Sequence, residues 1–286
     1  MTLLSVNYRH SGRFKPHYLN NAAIEETAKA VRTQLISAET DALPLSVLGD
    51  IDGLNVNGVG FDLWVSLDNP VTDHESGETV CGLCEFDPGA GADAVSLLVS
   101  PVGEGMTEEL VLSTFGHELG HAVFEAPGWI AGSKVGPGLF DDVSKPPLKA
   151  FRMTTRDAAH LAGAGASQPA EPQNPLAAMH EAEHVKAMRI AEYRANEFMG
   201  SLLVPRNRLF QAVIEMAPMY YVTVVTGPSL LEGVSATSLT LKADGSLGDF
   251  DLESLQKAIG KRFGVHGRFI RVRMERYGFL QGSRPH

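Results

Sequence analysis

Ile24, Thr27, Ala28, Val31 and Leu35 recur at helical spacing and predict an amphipathic helix over about residues 22–38. Three short strands are expected at 61–67, 80–86 and 94–99, rich in branched or aromatic residues and separated by Asn69-Pro70, Pro88-Gly89 and Gly89-Ala90-Gly91. Strands this close together imply a small meander sheet. Thr107 then reads as an N-cap, with Glu108 and Glu109 well placed against the helix dipole, and the helix should run to about Glu125 before Pro127 and Gly128 end it.

From 126 to 175 the composition shifts to Gly, Pro, Ala and Ser, with Gly136-Pro137-Gly138 and Pro146-Pro147 as breakers. This stretch reads as an insertion, and a lid, a docking surface or an inhibitory segment are the roles it admits. A second long helix is expected over about 176–203, ending before Pro205. An apolar run at 220–225, a Gly-rich connection through Gly245 and Gly248, and a helical pair within 252–280 complete the chain. The fold class this predicts is α+β, a small antiparallel or mixed sheet packed on two long helices. The expected division is a main domain over 1–205 and a C-terminal region over 206–286 with a helical tail from about 250.

Charge changes the picture in one place. The chain as a whole carries a formal net charge of −10, which excludes a surface wholly committed to nucleic acid. Between 253 and 286, however, eight Lys and Arg residues stand against two Glu, so the tail is basic. No apolar run is long enough to span a bilayer. The first 18 residues carry Arg9, His10, Arg13 and Lys15 without an apolar core, and there are only two cysteines, so a cytoplasmic protein is expected.

His117-Glu118-Leu119-Gly120-His121 places two histidines four residues apart within the predicted helix. Residues at that spacing share a helix face, so both imidazoles can reach one Zn2+ ion, and Glu118 beside them can take a proton from a water. The surrounding Leu110, Val111, Phe115, Leu119, Ala122 and Val123 imply burial, and two buried histidines beside a glutamate need a reason to be there. His180-Glu181-Ala182-Glu183-His184 repeats the pattern, but it runs on along its own helix and its charged surroundings read as a solvated helix start.

A third ligand is expected from the second helix. Glu192, Asn196, Met199 and Leu203 form one stripe, with Glu192 as the metal ligand and Asn196 one turn on as a hydrogen-bonding support. Glu197 is the alternative ligand, although it points about 100° away from Asn196. Cys81-Gly82-Leu83-Cys84 has no second cysteine pair and reads as strand and turn packing. His160, Tyr193 and His184 are open candidates for stabilising an oxyanion.

The run 114–121, taken with Glu192-Tyr193-Arg194-Ala195-Asn196-Glu197-Phe198-Met199 and Leu202-Leu203-Val204-Pro205, resembles the ImmA/IrrE-type metallopeptidases, gluzincin-like enzymes that cleave helix-turn-helix repressors. The resemblance covers roughly 20–125 and 186–280. It implies a zincin-like fold, a zinc endopeptidase and a repressor as substrate, so that cleavage would derepress stress-response or mobile-element genes. It also implies that the basic tail is helix-turn-helix-like, with contact to protein or DNA as its role. The connection between His121 and Glu192 is longer than is usual in that family. An anti-repressor or DNA-binding regulator that does not cut is the alternative.

Overall fold

The computed structural model describes residues 2–73, 77–103, 105–134, 149–154, 175–228, 237–243 and 248–280. The chain divides into two compact units, Met1–Ser37 with Leu45–Leu202, and Ala38–Pro44 with Leu203–His286.

The first unit is built on a mixed six-stranded sheet. Its strands are β1 (Thr2–Val6), β2 (Ile51–Val56), β3 (Val59–Ser66), β6 (Gly82–Phe86), β7 (Ala94–Val99) and β8 (Lys149–Met153), in the order β1-β2-β3-β7-β6-β8. A small ribbon of β4 (Val71–Thr72) and β5 (Thr79–Val80) stands apart from it. The simple meander is therefore corrected. β3 pairs parallel with β7, and β6 lies between β7 and β8, antiparallel to both. Three of these strands were not expected, each for a local reason. β1 is only five residues long, β2 carries Asp52, Gly53 and Asn55, which look like turn residues, and β8 lies inside the stretch read as an insertion.

Helix α1 (Asn21–Leu35) starts where Asn20 accepts a hydrogen bond from the Ala23 amide at 3.0 Å, and it buries Ile24, Ala28 and Val31. It stops before 38 because Ile36 is already extended. A short helix, α2 (Leu45–Gly49), precedes β2. Helix α3 (Glu108–Phe124) opens on the Thr107 cap, whose hydroxyl accepts from the Leu110 amide at 3.3 Å, and it is buried from Val111 to its end.

Helix α3 ends at Phe124, as expected, but a further helix that was not expected follows. After a break at Glu125 the chain enters α4 (Ala126–Lys134), where Pro127 sits in the first turn and its missing N–H costs nothing. The remaining long helix, α5 (Pro175–Leu203), meets its expected limits. Near its end the Leu202 carbonyl accepts from Arg32 at 2.6 Å, tying α5 to α1.

The second unit holds α6 (Arg206–Met216), a 3-10 turn (Ala217–Tyr220), the antiparallel pair β9 (Val222–Pro228) and β10 (Thr237–Ala243), and the helices α7 (Gly248–Phe263) and α8 (Gly267–Arg276). The α7–α8 turn needs glycine twice. Gly264 has φ 70°, and a Cβ on Gly260 would stand 2.6 Å from the Val265 carbonyl oxygen. Four of the eight basic residues counted in this segment have partners within the unit. Arg262 pairs with Asp41 and Glu215, Lys257 with Glu253 and Arg271 with Glu275, while the buried Arg273 donates to the Tyr277 hydroxyl at 2.6 Å. No helix among the described residues is long and apolar enough to cross a membrane.

Candidate metal centre

Helix α3 delivers His117, Glu118 and His121 into the interior, at 3%, 0% and 1% exposure. Its helical period aims both imidazoles to one side, where α5 brings Glu192, whose side chain is 40% exposed. The Nε2 atoms of His117 and His121 face each other at 3.0 Å, and the Glu192 carboxylate lies 3.3 Å from the first and 3.5 Å from the second. The three side chains can hold a metal ion, since their donor atoms all lie within 4.8 Å of one another.

Asn196 sits behind this cluster. Its Oδ1 lies 3.1 Å from His117 Nδ1, an acceptor for that nitrogen in the tautomer that leaves Nε2 available toward Glu192. Glu197 is buried but is not part of the cluster. The side chains of His180 and His184, and all of His160, lie outside the described residues. Tyr193 is exposed on the surface and bonds to Asn21.

Electrostatics set the three acidic and basic groups apart. Burial pushes the His121 imidazole down to about 4, with the charge of His117 adding to it and Glu192 opposing. Burial acts to raise Glu192, yet the two facing imidazoles outweigh it and hold the carboxyl at about 2. Glu118 is pushed well above the usual carboxylate range by burial and then by the Glu192 charge. The backbone of Cys84 and of Met153 opposes that rise, but neither Glu118 oxygen has a partner in hydrogen-bonding geometry.

The walls around these groups are tight. A Cβ on Gly82 would lie 2.5 Å from Thr114 Cγ2 and 3.0 Å from Glu118 Oε1, so β6 approaches α3 only because position 82 has no side chain. Phe151 of β8 stacks on the His121 ring with centroids 3.9 Å apart, and Trp129 of α4 stacks behind Phe151 at 5.8 Å. Arg194 donates to Glu125 at 2.5 Å, linking α5 to the end of α3. Cys81 and Cys84 are buried and not joined in a disulfide. Phe151, Trp129 and Gly82 escaped the reading of the sequence, because nothing in their local pattern ties them to the histidines.

No family model and no curated protein matches the chain.

Proposed function

We propose that the chain is a zinc endopeptidase of zincin-like build, in which His117, His121 and Glu192 hold the ion and Glu118 acts as the base. One observation carries this reading. Two buried imidazole nitrogens stand 3.0 Å apart with a carboxylate 3.3 and 3.5 Å from them, so three donors from two helices converge on one place that a cation could share. Two nitrogens and one carboxylate oxygen suit zinc and leave a coordination position open.

Bound zinc would supply Lewis acidity to a peptide carbonyl and to a water. Glu118, adjacent in sequence to His117, would be ionised once a cation beside it offsets its burial, and as the carboxylate it takes the proton of the attacking water and returns it to the leaving amine. Asn196, beside His117 Nδ1, would hold that ring in the orientation that leaves Nε2 for the ion. The partly exposed Glu192 lies on the side from which solvent reaches the cluster.

The resemblance of 114–121 and 192–205 to the ImmA/IrrE-type peptidases supports a helix-turn-helix repressor as the substrate, met in the cytoplasm. The α7–α8 pair, joined by its glycine turn, is the candidate helix-turn-helix-like docking element. A regulator that binds DNA through this tail without cutting has less support, because Arg262, Lys257, Arg271 and Arg273 are already engaged within the unit. The test is to incubate the zinc-loaded chain with purified helix-turn-helix repressors. Cleavage that a chelator abolishes is expected, and a repressor bound at stoichiometric ratio yet left intact would favour the regulator.

A further inference from the structure

The β6 strand runs along α3 and lies directly against Glu118, and its outer edge is covered by β8. β8 pairs antiparallel with β6 from Gly82↔Met153 to Phe86↔Lys149, and the Met153 carbonyl also accepts from the Cys81 amide at 2.8 Å. Its side chains alternate. Phe151 and Met153 face α3, where Phe151 covers the His121 ring and Met153 Sδ accepts from the Thr114 hydroxyl at 3.4 Å. Arg152 faces the other way and pairs with Asp73 at 2.7 Å.

A peptide whose carbonyl is to be reached from Glu118 must lay extended backbone beside that carboxylate. That place is taken, because Met153 is paired with Gly82, the residue whose Cβ would lie 3.0 Å from Glu118 Oε1, and Glu118 is 0% exposed. We infer that β8 is an internal occupant of a strand-binding site along β6. The ligand class that replaces it is an extended peptide, antiparallel to β6, with large apolar side chains at alternate positions to fill the places of Phe151 and Met153. This inference rests on the peptidase reading for its functional meaning: the chain is held closed until β8 leaves.

β8 is suited to leaving. Among the described residues it is the outermost strand of the sheet, with β6 as its neighbour. Its anchor on the face away from the metal cluster, Arg152 to Asp73, can be loosened without touching any residue of that cluster.

The test uses the full-length, metal-free chain, a labelled peptide copying residues 148–154, and a second peptide carrying Phe151→Ser and Met153→Ser. Arg152→Gln and Asp73→Asn are the protein variants, the latter keeping the size of the side chain it replaces. Hydrogen exchange across 149–153 should rise by about tenfold or more in the variants. Binding of the first peptide, read by fluorescence anisotropy, should strengthen by about tenfold or more over wild type, and the Ser-bearing peptide should not bind. Faster exchange with no gain in peptide binding, equal binding of both peptides, or unchanged exchange in both variants would each overturn the inference. Binding is read without turnover. A chain that takes up the peptide yet cuts nothing when zinc-loaded counts against the peptidase reading alone.

Discussion

Gly120 of α3 lies so close to Ala195 of α5 that a Cβ on Gly120 would stand 2.9 Å from the Ala195 Cα and 3.2 Å from its carbonyl oxygen. Glycine inside a helix costs about 1 kcal/mol relative to alanine, so its place between Glu118 and His121 needs a reason. Without a side chain at 120, the two helices that share the His117, His121 and Glu192 cluster can approach this closely. Gly120→Ala improves helix propensity yet forces α3 and α5 apart, away from the contact that brings Glu192 to the histidines. Zinc affinity, measured by competition with a chelator, should fall by about tenfold or more, with a stability loss of about 1–3 kcal/mol. Unchanged affinity would show that the close contact is incidental to the site.

The ligand assignment separates two motifs of identical pattern. His117→Ala, His121→Ala and Glu192→Ala should each abolish or severely weaken zinc binding, measured by elemental analysis of the dialysed protein. His180→Ala and His184→Ala should leave about one zinc per chain. Asn196→Ala should retain the ion with affinity lowered by about 10- to 100-fold, as expected for a residue that orients a ligand. Retention of zinc by the His117 variant and its loss from the His180 variant would reverse the assignment.

Asp41 gives the second unit a dependence on pH. Burial acts to raise its carboxyl, but hydrogen bonds from Arg208 and Arg262 prevail and hold it below the ordinary range. A group whose folded pKa is depressed contributes stability above its unfolded pKa, and that contribution disappears as pH falls through the folded one. Acid denaturation followed by a probe in this unit should therefore lose part of its stability below the usual Asp range. Asp41→Asn should flatten this dependence, and a wild-type pH slope retained in the variant would move the effect to another carboxylate.

Much of the site was legible because helical period and ligand spacing are local. His117 and His121 announce themselves by their separation, and Glu192 and Asn196 by one stripe on a long apolar-faced helix. What the sequence did not show depends on long-range pairing. β8 looks like part of a Gly- and Pro-rich insertion, since only the edge of β6 makes Lys149–Met153 a strand. Phe151 therefore could not be placed over His121 in advance. The helix at Ala126–Lys134 was missed for a different reason, since a proline just past one helix can also sit in the first turn of the next. The basic tail was legible as charge but not as ion pairs, because Asp41 is 221 positions from Arg262.

The central claim is that Glu118 performs proton transfer at a zinc site rather than building it. Glu118→Gln keeps the size of the buried side chain but cannot accept a proton. The decisive measurement is the zinc content and the peptide-cleavage rate of this variant beside wild type, in the same preparation and at neutral pH. Equal zinc with cleavage lower by about 10²-fold or more is the predicted result. Equal zinc with an unchanged rate, or no zinc-dependent cleavage by wild type, would contradict it.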